Sequence, residues 1–439
     1  MGTTVKRLSL IALLTALALH GCHRSSWSGS GGDAGTDSDS QTDPDTGIDT
    51  GTGIDTGTGD DTDTDFETDF DCLPHGEWVW QELPDGLDCG AGCRQLTFAG
   101  PHEIAEQEWD VSADYLVFPQ DRHDDGDMWD GTELRVVDLE QLVELVVPSH
   151  VPDVSPSDVS IFKPALVGED VYFGVYTYDP ADTYRALVRL DLEEQCQQIL
   201  YKQEYVYVDW DEPCLDPFRE IHASDHLLVL RTDLTPEGLY TVVGFDLDHP
   251  EAGLWAPFGN EYLGFEMHAY GDLATWISEP YFGPVFVYDL MADEEIPIDQ
   301  SVFGHRWPRL WENRLVYVEC PNTDSSKGRS AWQHADIYMY DLASEETFQV
   351  TDAEWAQGYP DVEGDDVVWL DCRSCSDEFH DPDMLDNEVY HRDLNTWIET
   401  RVTDIPDEGK HNPRVAGGRV FFEMHVSARA IFAVDLSEL

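Results

Sequence analysis

Basic side chains are scarce in this sequence: its 439 residues hold 24 Lys and Arg against 90 Asp and Glu, a formal charge of −66. So large an excess of carboxylate repels phosphate backbones and anionic headgroups, which excludes nucleic acid and an electrostatically bound membrane surface as partners. Long apolar runs are lacking too. The stretch from Leu8 to Leu19 covers about 12 residues, the length of a signal-peptide core and too short to span a bilayer. Familiar catalytic sequences are also missing: there is no G-x-S-x-G, no Walker loop, no H-E-x-x-H and no G-x-G-x-x-G at a strand–helix junction. His102-Glu103-Ile104-Ala105-Glu106 lacks the second His and lies in a β context, so it is not a zinc-protease helix.

The N-terminal 22 residues read as an export signal. Lys6 and Arg7 precede the apolar run, which ends in Leu19-His20-Gly21-Cys22. That ending resembles the lipobox of bacterial lipoproteins, and the resemblance implies that Cys22 becomes the mature N-terminus and carries a diacylglycerol. The implied location is the bacterial cell envelope, lipid-anchored at the outer membrane or cell surface. Residues 23–71 read as a disordered acidic stalk. Of the 39 positions from Asp33 to Asp71, 14 are acidic, 10 are Thr and 6 are Gly, a composition that stays solvated and self-repelling instead of forming a core.

Residues 72–439 carry a period. A β-rich run ending in Asp-Leu recurs seven times, at Asp138, Asp191, Asp246, Asp289, Asp341, Asp393 and Asp435. Upstream of each lies a turn flanked by β-branched or aromatic residues, and four copies begin with Pro, at Pro164, Pro308, Pro360 and Pro413. A four-stranded repeat of roughly 40 to 50 residues cannot bury both faces alone, so neighbours stack radially. The expected fold is all-β, a seven-bladed β-propeller. The last Asp-Leu leaves no room for a fourth strand, and Arg94-Gln95-Leu96-Thr97 matches the outer-strand pattern of Thr347–Thr351. An N-terminal strand is therefore expected to close the last blade, which removes a sheet edge and suits a monomer.

The Pro-led strands, the run Asp336-Ile337-Tyr338-Met339-Tyr340-Asp341-Leu342 and the link Val350-Thr351-Asp352 resemble the repeats of TolB-like propellers. The resemblance spans about residues 94–439 and implies the fold. Its repeat type serves scaffolds, peptidase side domains and lyases alike, so it implies no single activity.

Eight cysteines follow Cys22, an even number that favours disulfides in an exported chain. Cys196 is expected to pair with Cys214 across the connection between blades two and three. Cys320 is expected to bridge to Cys372 or Cys375 and so staple blades five and six. Cys72, Cys89 and Cys93 would tie down the approach to the closing strand.

Three sets of residues are candidates for function. In Asp121-Arg-His-Asp-Asp-Gly-Asp127, Asp121, Asp125 and Asp127 offer oxygens that suit Ca²⁺, with a solvated acidic hairpin loop as the preferred reading. Glu106, His305, Gln357, Lys410 and His411 precede innermost strands, and Asp371, Arg373 and His425 follow second strands. Together they are expected around one mouth of the central channel, where a protein, peptide or glycan ligand would bind. The His and Gln among them distantly resemble the metal site of oligogalacturonate lyases, so a metal-dependent carbohydrate-active enzyme is the alternative to a non-enzymatic binding module. His222 and His268 occupy equivalent positions in blades three and four and are expected to be hydrogen-bonded core histidines instead of metal ligands. No cofactor other than that Ca²⁺ is expected.

Overall fold

The computed structural model describes residues 78–84, 86, 89, 92–97, 109–121, 132–147, 159–177, 184–204, 220–232, 241–250, 253–255, 265–278, 283–296, 298, 304–320, 334–373, 375, 387–405, 409–425 and 429–439. Its strands form seven antiparallel sheets arranged as a seven-bladed β-propeller. Blade one is Asp110–Val111, Tyr115–Asp121, Thr132–Asp138 and Val143–Val147 from the channel outward, with a fifth strand, Trp80–Glu82, added at its outer edge. That fifth strand is not foreshadowed by the repeat. Blades two to six are four-stranded and follow in chain order.

Blade seven is built from both ends of the described chain. Lys410–Ala416, Arg419–His425 and Arg429–Asp435 supply three strands, and Cys93–Gln95 supplies the outermost, with Cys93 opposite Val434 and Gln95 opposite Phe432. The Leu96 amide donates to the Ile431 carbonyl at 2.8 Å, and the Ile431 amide donates to Thr97 Oγ1 at 2.9 Å. The closure expected from Arg94–Thr97 is thus the observed one.

Packing repeats the same logic. The apolar core divides into seven clusters, one between each pair of neighbouring blades. The cluster that joins blade seven to blade one packs Leu96 with Trp109, Phe118, Phe421 and Ile431, so the ring is sealed by side chains as well as by a ladder.

The recurrent Asp-Leu has a local cause. Six of these Asp sit where the third strand turns into the fourth and Asp435 sits where the third strand of blade seven ends, and the carboxylate accepts amide hydrogens from two or three residues further on: Glu140 and Gln141 onto Asp138, Ala343 and Ser344 onto Asp341, Asn395 and Thr396 onto Asp393. An Asp does this because its short side chain reaches its own following backbone. Backbone donation from Ser344 holds the Asp341 carboxyl below its ordinary value, so the acid also stays ionised. The following Leu donates its amide to the turn between the first two strands, as Leu342 does to Asn313 and Leu394 to Asp365. The motif therefore ties the two hairpins of one blade together.

The cysteines depart from expectation at one point. Cys372 and Cys375 are bonded to each other, and Cys320 is a free, buried thiol, so no bridge joins blades five and six. The Cys375 amide donates to the Cys372 carbonyl at 3.0 Å, and that turn brings the two sulfurs of one loop together. Cys320 instead packs in the apolar cluster between those blades, where burial pushes its thiol up to about 12. Cys89 pairs with Cys93 at the start of the closing strand. Cys196 is disulfide-bonded, while its expected partner Cys214 lies outside the described residues, as do Cys72 and Cys22.

Candidate functional site

The innermost strands of five blades share one irregularity. Their pairing register shifts between Phe162 and Ala165, Phe265 and His268, Arg306 and Arg309, Gly358 and Asp361, and His411 and Arg414. Within each shift one residue has a left-handed backbone: Lys163, Glu266, Trp307, Tyr359 and Asn412, with φ between 47° and 52°. In four of the five the next residue is Pro, which has no amide to lose from the ladder and so tolerates a bulge. A bulge re-aims the side chain beyond it, and the same strained conformation repeated around a channel marks a place where geometry is over-determined.

Four of the side chains so aimed, His268, Arg309, Asp361 and Arg414, form one layer with Asp110 and His222, whose strands are regular. Asp110, His222, His268, Arg309, Asp361 and Arg414 stand two residues before the first hairpin turn of their blades and line a central cavity of about 700 Å³. Aromatic walls flank them, with Trp307 stacked on Tyr359 at 3.9 Å between ring centroids and Tyr270 tilted against Trp311 at 4.7 Å.

The acids of the inner strands are engaged between blades. Asp110 accepts the Leu166 amide at 2.8 Å, and Glu220 accepts the Met267 amide at 2.9 Å while pairing with Arg231 at 2.5 Å. Glu266 accepts the Trp307 amide at 2.6 Å and the Arg306 Nε at 2.7 Å. Asp361 Oδ2 accepts the Val415 amide at 2.9 Å. Each carboxylate thereby latches its blade to the next, or, for Glu220 and Glu266, does so while also holding an arginine.

The bases are not engaged to the same degree. Arg309 Nε and Arg414 Nη1 approach the same Asp361 oxygen, at 3.9 and 3.8 Å, beyond hydrogen-bond length. Burial, followed by Arg414, pushes Arg309 down to about 10. Burial raises the Asp361 carboxyl, opposed by the two arginines. His222 and His268 face each other at 5.5 Å, and burial, then Arg309, holds both well below the ordinary imidazole value. They are neutral near pH 7, and His268 Nδ1 accepts the Leu310 amide at 3.2 Å. His268 thus has the expected hydrogen bond, but both rings line the channel and are not core.

The residues expected around the mouth are placed differently. His305, Gln357 and Lys410 do begin the innermost strands of blades five, six and seven, but all three are buried. Gln357 accepts from Thr351 Oγ1, and the Lys410 ammonium lies 3.3 Å from Glu388 and donates to the Ile405 carbonyl. Asp371 is also buried and pairs with Arg373 at 2.6 Å, which extends to Glu399 at 2.6 Å. His411 is half-buried, opposite Glu423 in the ladder. Glu106, Asp125 and Asp127 lie outside the described residues, as do the side chains of Asp121 and His425. The channel layer went unread apart from its two histidines. A signal for it was present, because the residue after each repeat Pro is the one aimed inward in three of four cases: Arg309, Asp361 and Arg414.

No protein-family model matches the chain, and no curated protein matches it. Solved structures do. An oligogalacturonate lyase from Vibrio parahaemolyticus is similar at 13% identity, over 83% of this chain and 100% of that one, with a TM-score of 0.53. An oligogalacturonate lyase in complex with manganese is similar at 15% identity, over 83% and 98%, with a TM-score of 0.51. TolB from Acinetobacter baumannii is a further neighbour, at 13% identity over 69% and 59%, with a TM-score of 0.32. At these identities the first two likenesses establish the propeller fold, and the third carries no argument. Among the described residues no group of three or more His, Cys, Asp and Glu is arranged to hold a metal ion.

Proposed function

We propose that the chain is an exported, lipid-anchored propeller that works as a non-enzymatic binding module, with its central channel as the receptor site for a protein, peptide or glycan ligand. The observation that carries this reading is the inner layer itself: a preformed cavity whose carboxylates latch successive blades together. Such a wall is rigid before any ligand arrives, and pre-organisation is what a receptor needs to limit the ordering cost of binding. The buried pairs Asp371–Arg373 and Lys410–Glu388 fit the same picture, since they engage with each other and hold strands together. The alternative is a metal-dependent carbohydrate-active enzyme, which the fold likeness to oligogalacturonate lyases and the His and Gln of the expected mouth would favour. Incubation of the full chain with oligogalacturonate, with and without Mn²⁺, separates the two. No unsaturated product is expected by ultraviolet absorbance under either condition; metal-dependent accumulation of that product would overturn the non-enzymatic reading.

A further inference from the structure

We propose that the channel selects a small carboxylate-bearing ligand, held by Arg309 and Arg414; the proposal rests on the channel being the receptor site. The two arginines carry more donors than the channel wall accepts. Each guanidinium offers five N–H groups. Among the described residues Arg309 makes one hydrogen bond, to the Pro308 carbonyl at 3.0 Å, and Arg414 makes none. The Nε atoms of both are buried without a hydrogen-bond partner. A single oxygen of Asp361 stands between them, and the other oxygen is held by the Val415 amide. Asp110 of the same layer also faces Arg414, so the two cations are balanced in charge by two acids, but neither acid lies within hydrogen-bond length of their guanidinium groups, and the wall is short of acceptors for their N–H groups.

The surroundings sharpen this. The nearby acids Glu220 and Glu266 pair with Arg231 and Arg306, and they act on Arg309 through charge without a hydrogen bond to it. The neighbouring His222 and His268 are neutral and offer polar ring atoms without adding charge. The arginine side chains remain 13% and 20% exposed, so a ligand in the cavity reaches them. A planar guanidinium fork matches a carboxylate in a way that a point charge does not. A chain of net charge −66 thus keeps two guanidinium groups with unused donors inside its ring, where the low-dielectric walls strengthen a charge-assisted hydrogen bond and salt screens the outer acids beyond about 8 to 10 Å.

Calorimetric titration of the full chain with citrate tests the assignment, with inorganic phosphate and the uncharged triamide of citrate as the other probes. One saturable citrate site is expected, with no binding of the triamide and weaker binding of phosphate. Arg414→Gln should weaken citrate by roughly tenfold or more, as the loss of a charge-assisted contact does. Asp361→Asn removes the competing carboxylate while keeping an oxygen for the Val415 amide, and should tighten citrate several-fold, a gain that misfolding cannot produce. Absence of a saturable citrate site, phosphate bound more tightly than citrate, or unchanged citrate affinity in both variants would overturn the proposal. Citrate is not a lyase substrate, so this result is independent of the turnover assay: an enzyme could still bind it, and a receptor for a neutral glycan would not.

Discussion

The His305 ring is buried, and that burial, opposed by the Gly283 backbone, pushes the imidazole down to about 4. An unfolded histidine titrates near 6.5. Between those values the unfolded chain binds the proton and the folded one does not, so stability falls as pH falls from about 6.5 toward 4. Asp336 acts in the opposite sense: burial raises its carboxyl to about 6, so its contribution is lost as pH rises from the ordinary carboxylate range through 6. Substituting His305→Leu isolates the first term. Between pH 7 and pH 5 the parent should lose about 2 kcal/mol more than the variant, measured by urea unfolding. Parallel losses would mean that the ring is protonated or bonded in the folded protein. At this scale the sequence revealed residue types better than surroundings. His305, Gln357 and Lys410 were expected just ahead of the innermost strands and stand instead as their first or second residues, and whether such a position faces solvent or a neighbouring blade depends on packing that one repeat does not encode.

At the scale of strands and blades, much more was legible. Seven Asp-Leu turns set the blade count because each performs a local task, capping one turn and bonding another. The closing strand was legible because it repeats the outer-strand pattern at the far end of the chain. The bulges were not, since a Pro in a β-rich run equally marks an edge or a strand start, and the inward layer depends on which of these applies. Trp80–Glu82 was missed because it belongs to no repeat. The closure carries a prediction. Deleting residues 1–71 should leave a folded domain, whereas deleting through Phe98 removes the ladder to Arg429–Asp435 and uncovers the cluster around Leu96. The longer deletion should cost several kcal/mol against a total of roughly 5 to 15, and should melt far earlier or aggregate. Equal melting temperatures, followed by circular dichroism, would place the seal of the ring elsewhere.

For the whole molecule the acid excess and the proposed anchor belong together. A chain of charge −66 is repelled by an anionic membrane surface, so the proposed attachment calls for a covalent lipid and not for the protein's own face. The wild-type chain should partition into detergent, and Cys22→Ser should move it to the aqueous phase; recovery of the unmutated protein in the aqueous phase would remove the lipid from the account. The closed ring has a further consequence, in the order of events. Thr97 and Ile431, which bond across the seal, are 334 positions apart. Bringing such distant segments together costs about 5 kcal/mol of chain entropy before any contact compensates it, and contacts of this separation form slowly. A chain emerging from its N-terminal end therefore assembles as an open arc, blade upon blade, while Cys93–Gln95 waits unpaired for a partner not yet made. Its brevity and its polar Arg94 and Gln95 suit that interval, because a short polar strand is a poor template for pairing with strangers. The propeller is complete only when its last-made strand meets one of its first.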